Sequence, residues 1–220
     1  MFKIIMKLIS VNIWFDNYLK YERINLLLDY ILKNKPDIIF LQEVKIDILS
    51  FLYKKIEFIY KYIHFSVEEN NYGLVILSKN EIKNREYYKF NNSKMGRGIL
   101  FCEINNIIFA TTHLESVFKN EKTKIDQFNN SIKLLSKYNN VIFGGDMNLK
   151  KEIYSFNFID MYDNSKNNKF TYDGLNNLFI KNKYRNRLDR IYYKGSFKIN
   201  NFNLNKEYIV SDHFILEIDF

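Results

Sequence analysis

Asp37-Ile38-Ile39-Phe40-Leu41, with Gln42-Glu43-Val44 directly behind it, decides how the rest of the chain reads. The apolar run is too short for a helix and shows no alternation, so it reads as a strand covered on both faces. Such a strand needs packed layers on either side, which points to an α/β arrangement. Pro36, the only proline, precedes the run and disfavours helical geometry at Lys35. The helix before it therefore ends there. It covers Tyr21 to Lys33 and lines up Ile24, Leu27, Leu28, Ile31 and Leu32 as one apolar stripe.

Working outward, Ile4 to Asn12 reads as a first strand rich in branched residues. Further strands are expected at 74–77, 98–104, 107–111, 141–143, 190–193 and 214–218. A second amphipathic helix is expected over Lys119–Lys137, with Ile125, Phe128, Ile132 and Leu135 inward and lysines outward. The Asn- and Lys-rich stretch from Lys150 to Lys183 reads as loop-dominated and exposed. No repeat or linker interrupts the pattern, so residues 1–220 are expected to form a single domain. Helices interleaved with strands, with two adjacent strands in the middle, give an α/β fold: a two-sheet mixed β-sandwich flanked by helices.

Composition narrows the function classes. The 220 residues are 47% hydrophobic, enough for one buried core, and carry a net charge of +8. That balance favours a polyanion partner, although a chain dominated by Lys, Asn, Ile, Tyr and Phe would carry it without one. A single cysteine, Cys102 in the run Ile99-Leu100-Phe101-Cys102, excludes an intrachain disulfide and a thiolate zinc site. It reads as a buried, inert thiol in a reducing intracellular compartment, nuclear or cytoplasmic. The lysine-interrupted N-terminus reads as a strand rather than a secretion signal. No apolar run approaches the ~18 residues of a membrane span.

Polar residues interrupt the pattern at the ends of expected strands: Asn12, Glu43, His113, Asp146 with Asn148, and Ser211-Asp212-His213. Taken singly, Glu43 could begin a helix, Gly144-Gly145-Asp146 could be a turn, and His113 could be a satisfied core histidine. Together they form one chemistry, because loops at strand ends are where α/β sites assemble. Glu43, Asp146 and Asp212 are hard oxygen ligands suited to Mg²⁺. His213 can donate to a charge developing on phosphate, and Asp189 can orient its imidazole.

Asn12, Leu41-Gln42-Glu43-Val44, Gly145-Asp146-Met147-Asn148 and Ser211-Asp212-His213 resemble the ordered motif set of the endonuclease/exonuclease/phosphatase superfamily. Thr112-His113-Leu114-Glu115-Ser116, Asn148-Leu149 and Arg187-Leu188-Asp189-Arg190-Ile191 are most similar to the 5′-tyrosyl-DNA phosphodiesterase 2 family. Lys94-Met95-Gly96-Arg97 and Phe170-Thr171-Tyr172-Asp173 agree more weakly. The resemblance implies the superfamily's four-layer fold and an Mg²⁺-dependent phosphodiesterase, with Mn²⁺ as a substitute. The implied substrate is a single-stranded 5′ end of DNA or RNA bearing a tyrosyl peptide, cleaved by a monomer. It implies Glu43 as the main metal ligand with Asp212 supporting, and Asp146 as the base. Asn12, Asn148 and His213 would hold the phosphate, with Asp189 behind His213. His113, Glu115 and Ser116 would contact the 5′ phosphate and terminal nucleotide, and Arg97 and Lys150 would add cationic contacts. Tyr172 stands where relatives place a tryptophan against the terminal base, and Leu188 matches an apolar wall.

Two departures stand out. Trp14 occupies a position where relatives commonly carry an acid, and Lys150 replaces an arginine, turning a bidentate grip into a point charge. Three other readings share parts of the pattern. A sister abasic-site endonuclease or general nuclease would use the same core, and a catalytically dead nucleic-acid-binding module would lack intact Glu43, Asp146 and His213. A membrane-acting sphingomyelinase would need an amphipathic basic helix, which the sequence does not offer.

Overall fold

Strand β1 (Lys7–Asn12) and strand β2 (Ile38–Lys45) run parallel, and the helix between them, α1 (Lys20–Asn34), makes the crossover. In β2 the side chains divide by parity. Ile39 and Leu41 join one apolar cluster with Leu27, Ile31 and Leu52, while Ile38 and Phe40 join another with Leu100, Phe109 and Ile142. The strand is covered on both faces, as its sequence requires. Helix α1 is flanked by two residues in left-handed conformation, Leu19 (φ 46°) and Lys35 (φ 45°), and Pro36 follows. In this computed structural model the described residues are 5–67, 71–117, 121–151, 155, 157–162 and 169–220. The first strand starts at Lys7 rather than Ile4, and residues 1–4 lie outside the described part.

After β2 come α2 (Ile46–Ile56), β3 (Tyr62–Phe65), β4 (Tyr72–Ser78), β5 (Lys83–Lys89), β6 (Gly98–Ile104) and β7 (Ile107–His113). Then follow α3 (Glu121–Leu135), β8 (Val141–Asp146), β9 (Ile159–Asp160), β10 (Tyr172–Asp173) and β11 (Arg185–Asn186). Strands β12 (Asp189–Lys194), β13 (Asn201–Asn205) and β14 (Ile215–Asp219) end the chain. One six-stranded sheet has the order β13-β14-β1-β2-β4-β3, the other β5-β6-β7-β8-β12-β9, and β10 pairs with β11 alone. Helices α1 and α2 cover the outer face of the first sheet, and α3 covers the second. The inter-sheet core holds Phe40, Leu100, Cys102, Phe109, Ile142 and Phe214. The result is the expected two-sheet sandwich between helices.

The sequence pattern did not reveal α2, β3, β5 or β13. Strand β5 explains itself: all seven of its residues are exposed, so it carries no alternation to read. The expected α3 was right in place but not in its buried face. Phe128 and Leu135 are buried as expected, Ile125 and Ile132 only partly, and Lys124, Gln127 and Ser131 share the inner face. The stretch 150–183 is not uniformly an exposed loop, because Thr171 and Asp173 are buried. Asp173 pairs with Arg185 (2.8 Å) and Lys206 (3.4 Å), which is why a polar segment can go inside. Residues 152–154, 156 and 163–168 of that stretch lie outside the described part.

Candidate active site

Sheet register alone assembles half of the site. Across β7, β8 and β12 the Cα partners of Asp146 are His113 on one side and Asp189 on the other, so the three form a row at one edge of the second sheet. Gly145 (φ 135°) allows that close approach, since a Cβ there would meet the Thr112 carbonyl at 2.1 Å. The first sheet brings Asn12 beside Gln42 at the matching edge. Gln42 ties the sheets together beneath the site, donating to Ser10 Oγ (3.3 Å) and Thr111 Oγ1 (3.0 Å).

Glu43 is not at a strand end, as its neighbourhood suggested. It sits inside β2 at a register shift between Leu41 and Val44, with φ 61°. A bulge of this kind re-aims one side chain, and non-glycine residues hold such a φ only where their surroundings impose it. Here it turns the carboxylate toward the inter-sheet cleft. Asn12 Nδ2 donates to Glu43 Oε1 and to Asp146 Oδ2, each at 3.0 Å. Its Oδ1 accepts the Trp14 N–H at 3.0 Å, which fixes which face of the amide points at the carboxylates. The Phe15 N–H donates to Glu43 Oε2 at 3.0 Å.

Asp146 is buried and accepts from the Asn148 N–H at 2.9 Å through its other oxygen. Burial pushes its carboxyl up to about 6; His213 opposes that rise and Asp189 adds to it. Two imidazoles reach the same Asp146 oxygen, His113 Nε2 at 3.3 Å and His213 Nε2 at 3.9 Å. His213 Nδ1 donates to Asp189 Oδ2 at 2.7 Å. Burial works against charge on His213, but the Asp189 and Asp146 carboxylates prevail and hold its pKa well above the ordinary histidine value. His113 is the reverse: burial, then the charges of Arg97 and His213, hold its pKa well below that value. Arg97 Nη1 lies 2.8 Å from His113 Nδ1. A guanidinium only donates, so Nδ1 accepts and the neutral ring carries its proton on Nε2, facing Asp146.

Among the described residues, Asp146, Asp189 and His213 bring potential metal-ligating atoms within 4.8 Å of one another. Their hydrogen bonding argues against that use, because an imidazolium held by Asp189 has no lone pair to give. Glu43 is the better cation carboxylate: it is slightly exposed, and Asn12 and Phe15 orient both of its oxygens. Carboxylate oxygens of this kind suit a hard divalent cation. Asp212, the other expected carboxylate, directly precedes His213. It accepts from Ser211 Oγ at 3.0 Å and acts on Arg23, Tyr172 and His213 through its charge.

The expected nucleotide contacts fall into three places. Arg97 lies over the Tyr72 ring (5.1 Å) and within 3.4 Å of Ser116 Oγ. Tyr172, Tyr184 and Leu188 line an open groove with Asn182 and Lys183, and Lys150 Nζ stands 5.5 Å from the Tyr184 ring. Glu115 is elsewhere: fully buried, it accepts from Ser93 Oγ and the Lys94 N–H and braces the loop that carries Arg97. Its motif position suggested nucleotide contact, but its burial assigns it to support. Tyr172 is not at an exposed loop tip either. It is half-buried, its backbone bridges to His213, and its ring meets the His213 ring edge-on at 5.4 Å.

The model of the Endonuclease/Exonuclease/phosphatase family matches residues 9–213. The chain belongs to that family. Tyrosyl-DNA phosphodiesterase 2 of Bos taurus is 29% identical over 195 residues, covering 80% of this chain and 53% of that protein. The chain thus spans about half the length of the curated relatives it matches. A crystal structure of truncated Caenorhabditis elegans TDP2 is 26% identical with a TM-score of 0.85, covering 99% of this chain and 98% of that one. D. rerio TDP2 in complex with a single-strand DNA product has a TM-score of 0.88 at 20% identity, covering 99% of both chains, which speaks for the fold. Endonuclease/exonuclease/phosphatase enzymes depend on divalent metal.

Within this family fold, sequence reading missed several supporting residues. Thr171 Oγ1 accepts the N–H groups of Leu188 and Asp189, both at 3.0 Å, while its carbonyl accepts the Phe214 N–H at 2.9 Å. It thereby locks the Asp189 strand to the segment bearing His213. Lys124 reaches from α3 to the Asn148 carbonyl (3.2 Å) and supports that residue's left-handed φ of 51°. The expectation of outward lysines on α3 hid it, although Lys124 precedes the buried Phe128 by four residues and so shares its face.

Proposed function

We propose that residues 1–220 form a monomeric catalytic domain acting as a 5′-tyrosyl-DNA phosphodiesterase. It hydrolyses the ester between a protein tyrosine and the 5′ phosphate of a single-stranded DNA or RNA end, leaving a 5′ phosphate. The observation that carries the reading is the buried Asp146 carboxyl, pushed up to about 6 and ringed by Asn12, His113 and His213 beside an aromatic groove. The names of the similar proteins from Bos taurus and Caenorhabditis elegans support the choice of substrate.

Asp146 accepts the proton of the attacking water, a task suited to a carboxyl poised just below neutral pH. The Asn148 amide and the His213 imidazolium donate to the non-bridging phosphate oxygens as charge builds on them, and Asn12 Nδ2 joins them by giving up one of the two carboxylates its hydrogens hold. Asp189 keeps His213 oriented and charged. Mg²⁺, or Mn²⁺ in its place, held by Glu43 would supply Lewis-acid polarisation of the phosphate. A tyrosyl leaving group has a pKa near ~10 and departs as phenolate without a strong general acid. Arg97 over Tyr72 places a cation on the His113 side of the phosphate position, while Tyr172, Tyr184 and Leu188 offer the terminal nucleotide a wall on the His213 side.

The test compares single-stranded 5′-tyrosyl, 3′-tyrosyl and abasic duplex oligonucleotides, with Mg²⁺ and with chelator. Mg²⁺-dependent release of tyrosine from the 5′ end alone is expected. Preferred incision of the abasic duplex would instead make the protein an abasic-site nuclease of the same family. Binding without turnover on any substrate would reduce it to a nucleic-acid-binding module.

A further inference from the structure

Arg23 is 2% exposed and points from α1 into the loop that follows Asn12. Its Nε donates to the Tyr18 carbonyl (3.0 Å), and Nη1 donates to those of Ile13 (2.7 Å) and Val210 (3.5 Å). Nη2 donates to the carbonyls of Trp14 (3.1 Å) and Asp16 (2.7 Å). Four of these five acceptors lie in one short segment, Ile13 to Tyr18. Trp14 covers the guanidinium at 4.7 Å, with Phe179 at 5.9 Å. The segment contains one non-glycine residue in left-handed conformation, Trp14 (φ 58°), and is followed by another, Leu19 (φ 46°). Residues keep such a conformation only where surrounding structure over-determines it.

The same segment delivers two backbone donors to the site. The Trp14 N–H fixes the amide face of Asn12, and the Phe15 N–H fixes one oxygen of Glu43, each at 3.0 Å. We infer that Arg23 is a positioning residue for the cation site: its grip on the Ile13–Tyr18 backbone holds Glu43 and Asn12 in place before any cation arrives. The inference rests on the reading of Glu43 as the cation carboxylate. It also gives Trp14 a task, since the indole stacks on the organising guanidinium. A lysine could not replace Arg23, because one ammonium cannot reach carbonyls spread along the loop.

Two measurements test this, neither of which reads turnover. In metal-free wild-type protein, hydrogen exchange by NMR should show the Trp14 and Phe15 amides protected, with little further change on adding Mg²⁺. Unprotected exchange that becomes slow only with Mg²⁺ would mean that the cation orders the loop, and the inference would fall. In Arg23→Lys, with folding checked by circular dichroism, Mn²⁺ affinity measured by electron paramagnetic resonance should drop about 10- to 100-fold, as for other lost supports of a metal ligand. Unchanged affinity in the folded variant overturns the inference, and if the variant does not fold, the wild-type exchange decides. Glu43→Gln separates the two readings: if it leaves Mn²⁺ affinity intact, the assignment of Glu43 itself is wrong.

Discussion

His113 and His213 approach one oxygen of Asp146, both almost fully buried, yet their pKa values are driven in opposite directions, His113 down and His213 up. Burial is alike, so the partner at Nδ1 decides. His113 meets Arg97, which can only donate, and is left neutral with its proton toward Asp146. His213 meets Asp189, which accepts, and its imidazolium is favoured. Two identical side chains therefore present different donors to the same base. The His213 side joins a cation to the aromatic groove, while the His113 side joins a neutral donor to the Arg97–Tyr72 stack. A symmetric pair of histidines would offer no such division between the two ends of a phosphodiester.

The largest effect should come from removing what both histidines share. Asp146→Asn should lower turnover on the order of 10⁴-fold, the upper range for loss of a general base, with the fold intact by circular dichroism. A folded variant that keeps wild-type turnover would remove Asp146 from the role of base and leave the histidines without a common task.

Next in size is Asp189→Asn, which strikes the charged histidine alone. Its cost should be on the order of 10²-fold in kcat, and adding His213→Ala should cost little more, because a unit is lost once. NMR titration of the metal-free protein should show the His213 pKa falling in Asp189→Asn. The sign of the stability effect follows. The pKa of His213 is raised in the folded state, so the pair stabilises fully below the unfolded histidine value of ~6.5 and loses that contribution as pH rises through the folded value. The stability gap between wild type and variant should therefore be widest below that value and close in alkali. A gap that widens with pH would break the comparison.

The neutral histidine is probed by Arg97→Met, which removes both the charge and the donor, and by Arg97→Gln, which keeps a donor. Arg97→Met should cost about 10-fold in kcat/KM, the value of one oriented hydrogen bond, and Arg97→Gln less. The His113 pKa should rise in both, because the Arg97 charge helps to depress it. No change in either variant would mean that burial alone sets His113.

His113 and Asp146 were legible because each interrupts an apolar pattern beside a strand. The row they form with Asp189 was not, because it depends on the register of β7, β8 and β12. Asp189 behind His213 was also readable as a carboxylate near an imidazole. The charge contrast was not, since it depends on Arg97, which reaches His113 from before β6. Glu43 was found by its motif, but its bulge was hidden, because nothing in Leu41-Gln42-Glu43-Val44 announces a left-handed φ at glutamate. Arg23 was hidden for a similar reason: it occupies a helix position next to Ile24, where a charged residue ordinarily reads as the solvated face. Glu115 misled in the other direction: its motif position looked functional, but its carboxylate accepts from Ser93 and Lys94 in the loop that carries Arg97.

The smallest effect sharpens the His213 side. Tyr172 contributes a half-buried ring that lines the groove and touches the His213 ring edge-on, so it serves two parts of the site at once. Base stacking is worth roughly 1–3 kcal/mol per base, and a partly buried phenol should fall at the lower end, about 1 kcal/mol or fivefold in KM for a 5′-tyrosyl oligonucleotide. Tyr172→Ala removes both the stacking surface and the packing on His213, so it should also lower kcat slightly on a small substrate such as a nitrophenyl phosphodiester. Tyr172→Leu keeps apolar packing against His213 but no aromatic face. It should leave the small substrate near wild type while raising KM for the oligonucleotide. The ratio of kcat/KM on the two substrates separates the roles. If Tyr172→Leu lowers both equally, the ring acts only through His213, and the nucleotide must find its wall in Tyr184 and Leu188 instead.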